Sequence, residues 1–77
     1  MKIYGFEVGQ DERMILSEIS IVASSGELRN FARFLSDMAT KIDVHGSEFG
    51  HEHFRDHPEL AADVSGSTDV IVAQERK

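Results

Sequence analysis

Residues 24–46, SSGELRNFARFLSDMATKIDVHG, decide the fold. Ser24 followed three positions later by Glu27 has capping-box spacing, in which each side chain satisfies a backbone N–H that the first helical turn leaves unpaired; Ser25 is the alternative cap. Behind the cap, Leu28, Phe31, Ala32, Leu35, Met38, Ala39 and Ile42 recur at steps of three and four, so one face of a helix is apolar from end to end. Arg29, Asn30, Arg33, Ser36, Asp37, Thr40 and Lys41 fill the opposite face. The Arg33/Asp37 and Asp37/Lys41 spacings permit ion pairs of only about 0.2 to 0.5 kcal/mol each. Burying seven apolar side chains contributes on the order of 10 kcal/mol gross, most of it offset by ordering the chain, so packing rather than surface charge holds the helix. Gly46 is the natural terminator. Phe34 falls at the edge of the stripe, where it covers the rim of a sheet or meets a partner.

Working outward, the segment before the helix reads as a hairpin. Lys2 to Val8 alternates, with Tyr4, Phe6 and Val8 on one side and Gly5 and Glu7 on the other. Gly9 to Glu12 supplies turn chemistry, and Met14 to Ala23 is a second strand rich in β-branched residues. After the helix, Phe49 to Phe54 reads as a short strand or a loop, Asp56 to Asp63 as a brief helical turn, Ser65-Gly66-Ser67 as a turn, and Asp69 to Gln74 as a buried last strand. The order β-β-α-(β)-β predicts an α+β domain spanning residues 1–77, with one long amphipathic helix on one face of a small, mostly antiparallel sheet of three or four strands. Alternate residues such as Met14, Leu16 and Val22 leave the sheet's far face partly apolar, so a homodimer built on that face is one expectation.

Composition narrows the function. A chain of 77 residues buries roughly 60% of its unfolded surface, and such a core rarely supplies more than about 3 to 5 kcal/mol of net stability. There is no cysteine, which removes disulfides and thiolate metal sites and fits a cytoplasmic location. No segment approaches membrane-spanning length, and the N-terminus lacks the apolar run of a signal peptide. Fourteen acidic against eight basic side chains give a formal charge of −6, which repels nucleic-acid phosphate and favours a basic protein partner. A plainer role for that surplus is solubility.

The side chains with the most chemistry lie in His45 to His57, HGSEFGHEHFRDH, which holds all four histidines. On a strand, His51 and His53 project to the same side. Two imidazoles suit zinc, nickel or copper, and His57 with a carboxylate such as Glu52 or Asp56 would complete a site. The same segment offers His51, Glu52, His53 and Asp56 as a polar surface for a partner, or simply a hydrogen-bonded cluster. The string differs from the His-x-His-x-Asp-His loop of metallo-β-lactamase-like hydrolases by one extra residue, and the chain is far too short for that fold or for a cupin barrel. No Gly-x-Ser-x-Gly elbow and no phosphate-binding glycine loop is present, so neither a catalytic residue nor a cofactor is expected.

Taken together, the strand ending Val22-Ala23-Ser24-Ser25, the helix from Glu27-Leu28-Arg29 through Phe34-Leu35, the segment Gly50-His51-Glu52-His53-Phe54 and the closing Asp69-Val70-Ile71-Val72 resemble the immunity protein 32 family of bacterial polymorphic toxin systems. The resemblance spans about Ile15 to Val72. It implies a small cytoplasmic protein that neutralises a cognate toxin by binding it and has no enzymatic activity. Only His51, Glu52 and His53 match a motif distinctive enough to carry over residue by residue.

Overall fold

A computed structural model describes residues 1–57 and 69–75. The elements run β1 (Tyr4–Gly5), β2 (Met14–Ile15), α1 (Ser25–His45), β3 (His51–His53) and β4 (Ile71–Ala73), with 3-10 turns at Gly46–Glu48 and Phe54–Asp56. The class is α+β, in the order expected. The helix begins at the Ser24 cap: the Ser24 side-chain oxygen accepts from the Glu27 N–H at 3.1 Å, and Glu27 Oε1 accepts from the Ser24 N–H at 3.0 Å. It ends at Gly46, whose φ of 56° and ψ of −130° suit glycine alone among the residues.

The strands depart from the sequence reading in one respect. In place of a single sheet of three or four strands, the described residues form two separate antiparallel pairs, β1 with β2 and β3 with β4. The first pair is only two residues deep, with Tyr4 opposite Ile15 and Gly5 opposite Met14. Its inner side is also the reverse of the one expected. Leu16 packs over Gly5, where a Cβ would come within 3.0 Å of Leu16 Cδ1, while Phe6 and Val8 are exposed. The Arg13 guanidinium lies 4.1 Å from the centre of the Tyr4 ring, a cation–π contact that uses this aromatic at the surface. The helical turn expected from Asp56 to Asp63 and the Ser65-Gly66-Ser67 turn fall largely or wholly outside the described residues.

The core sits between α1 and the β3–β4 pair. Phe34 (0% exposed), Met38 (1%) and Phe54 (8%) form it, with Phe31, Phe49, Val70 and Val72 packed against them. Phe34, expected at the edge of the apolar stripe, is therefore its centre. Leu28 and Leu35 are 45% and 42% exposed. Two apolar rows run side by side on this helix, and the row that carries aromatic rings faces inward because aromatics bring the larger apolar area. Phe54 completes the packing, with ring centroids 4.9 Å from Phe34 and 5.4 Å from Phe31 in tilted geometry. β4 is less buried than expected: Val72 is half-buried, but Ile71 and Ala73 are exposed.

Candidate partner-binding site

The segment after α1 becomes a strand because Gly46 stops the helix and Gly50, at φ 68°, turns the chain into β3. β3 then pairs with β4, setting His51 opposite Ala73, Glu52 opposite Val72 and His53 opposite Ile71. Alternation along the strand sends the two outer histidines one way and Glu52 the other. This divides the chemistry of the segment between two faces.

On the outer face, the His51 and His53 rings meet edge-on with centroids 5.4 Å apart. His53 Nδ1 lies 2.5 Å from Asp69 Oδ2. An ionised carboxylate only accepts, so this nitrogen carries the proton. Asp69 also accepts from the Arg55 backbone N–H through Oδ1 at 3.2 Å and pairs with Arg55 Nε at 3.2 Å. Burial by itself would raise the Asp69 pKa, but the hydrogen bonds from His53 and the Arg55 N–H, with the Arg55 charge, outweigh it and leave the carboxyl below its ordinary value. His51 stays exposed at the strand's start.

On the inner face, Glu52 accepts from Lys41 Nζ at 3.1 Å and from His57 Nε2 at 2.8 Å. The Lys41 hydrogen bond, then that of His57, holds the Glu52 carboxyl below its usual pKa. His57 packs its ring on Phe34 at 5.2 Å between centroids. It thus caps the core.

His57 is consequently on the opposite side of β3 from His51 and His53, and the three residues expected as a metal set are not brought together. Among the described residues no three His, Asp or Glu side chains cluster so as to hold an ion. Asp56 is exposed in the 3-10 turn after β3, beside the outer face's Arg55. Sequence reasoning missed Asp69 and Lys41 as partners of this segment. They lie 16 and 11 residues from the groups they bind, and only the β3–β4 register and the docking of α1 bring them close.

No helix among the described residues is long and apolar enough to cross a membrane. No curated protein and no solved structure matches the chain. The family model for Immunity protein 32, however, matches residues 18–75, which takes in the whole of α1, the histidine strand with both its faces, and β4. With three quarters of its length matched in this way, the chain belongs to the immunity protein 32 family.

Proposed function

We infer that this protein neutralises a cognate toxin by binding it directly, as an acidic inhibitor in the cytoplasm that catalyses no reaction. Membership of the immunity protein 32 family carries the reading. The charge of −6 supports a basic toxin, because complementary potentials raise association rates and suppress wrong partners. The contact surface is the outer face of β3 with its rim, His51, His53 and Asp56; Glu52, expected with them, lies on the inner face with Lys41 and His57. Asp69, itself paired with Arg55, already holds His53 in place, so less side-chain freedom is lost when a partner docks there.

The test is calorimetry and co-purification with the toxic protein encoded beside it, together with rescue of growth in cells expressing that toxin. Binding with rescue is expected. The His51→Ala/His53→Ala variant should bind at least about tenfold more weakly, roughly 1.4 kcal/mol, while keeping its helical circular dichroism. If no co-encoded toxic protein binds the native chain, the immunity function is wrong; if the double variant binds as tightly as wild type, the surface assigned here is wrong.

A further inference from the structure

The two imidazoles on the outer face of β3 lean towards each other. Residues two apart on a strand have Cα atoms about 6.6 Å from one another. The His51 and His53 ring centres lie 5.4 Å apart. That is close to the spacing of two imidazoles bound to one tetrahedral zinc ion. With zinc–nitrogen bonds of about 2.05 Å and roughly 1.15 Å from ring nitrogen to ring centre, the centres stand about 5.2 Å apart. The right angle between neighbouring ligands of a square-planar or octahedral ion brings them to about 4.6 Å, so the spacing favours zinc over copper(II) or nickel.

A second, independent observation is the way His53 is held. Its Nδ1 donates to Asp69 Oδ2 at 2.5 Å, which fixes the proton on that nitrogen and leaves the lone pair on Nε2. A metal-bound histidine almost always donates its other ring N–H in this way, to a carboxylate or carbonyl that sets its tautomer and raises its basicity. Asp69 is itself anchored, being 12% exposed and bound to both the Arg55 backbone N–H and the Arg55 guanidinium. Among the described residues, Nε2 of His53 and both ring nitrogens of His51 have no hydrogen-bond partner. The residue across the strand from His51 is the small, exposed Ala73, which leaves room over the pair.

We propose that His51 and His53 together bind one zinc ion, through a ring nitrogen of His51 and Nε2 of His53, with water at the open positions and Asp69 orienting His53. His57 takes no part, because Glu52 and Phe34 hold it on the inner side of the strand. With two protein ligands the site is exposed and exchangeable, unlike a structural zinc site closed by four. The chain's charge of −6 raises the local concentration of a dication. Zinc binding needs no toxin, so failure of either reading leaves the other standing.

The test is calorimetric titration of the native chain alone with zinc chloride in a non-coordinating buffer, with imidazole nitrogen shifts followed by NMR. One zinc per chain is expected, with the His53 signal moving at Nε2 while Nδ1 keeps its proton. His51→Ala and His53→Ala should each weaken binding at least about tenfold, and Asp69→Asn by about 10- to 100-fold. His45→Ala, at the exposed end of α1, should bind as the native chain does. Absence of heat and of any imidazole shift in the native chain overturns the proposal, as does undiminished binding by His51→Ala. Unchanged affinity in a folded Asp69→Asn overturns the role given to Asp69. Should Asp69→Asn fail to fold, the exposed His51 still decides, because its truncation leaves the core untouched.

Discussion

Asp69 shows how much one side chain does in a domain this small. It is 12% exposed, yet it satisfies the His53 imidazole, the Arg55 N–H and the Arg55 guanidinium together. Its pKa, like those of Glu52 and Glu27, lies below the ordinary carboxylate value in the folded chain. A depressed folded pKa means the stabilisation is complete above the unfolded value, near 4, and is lost as pH falls through the lower folded value. Urea titrations between neutral pH and pH 3 should therefore show stability falling on the acid side. Asp69→Asn should lower stability at neutral pH by about 1 to 2 kcal/mol and make that acid fall shallower. An unchanged pH profile in the variant would show that Asp69 is not the titrating partner. Glu27 adds the same sign at the helix start, where the Ser24 backbone N–H, then its side chain, stabilises the charged form.

At the scale of the element, α1 tests which of two apolar rows faces inward. Phe34 touches Phe54 and His57 and is fully buried, whereas Leu35, one position on, is 42% exposed. Phe34→Ala should cost about 3 to 5 kcal/mol, comparable with the whole net stability of such a domain, and leave the chain largely unfolded at room temperature. Leu35→Ala should cost about 1 kcal/mol, since nearly half its surface is already in water. Equal losses for the two variants in thermal unfolding would mean the helix is rotated from the orientation described. Ser24→Ala removes the reciprocal cap and should lower the midpoint through a loss of about 1 kcal/mol.

For the whole molecule, the relevant quantity is the charge of −6. Steering of a basic toxin by this field should appear in the association rate, which is expected to fall several-fold as salt rises from low to physiological strength, with a much smaller change in dissociation. Stopped-flow binding at a series of salt concentrations measures it. A salt-independent association rate would mean that the acidic surplus serves solubility alone.

Local signals carried a large share of the fold. The Ser24/Glu27 box, the apolar row ending before Gly46 and the alternation of His51, Glu52 and His53 need only near neighbours in sequence, because caps, helix periodicity and strand alternation are short-range. The family resemblance was legible for the same reason, being carried by these contiguous motifs. Tertiary packing decided what lies beyond that range. Phe34 rather than Leu35 became the centre of the core once Phe54 supplied a ring to stack on, and His57 left the other histidines because Glu52 and Phe34 hold it inside. Asp69 and Lys41 joined the site through strand register and helix docking, contacts whose formation depends on chain closure over 16 and 11 residues rather than on any local pattern.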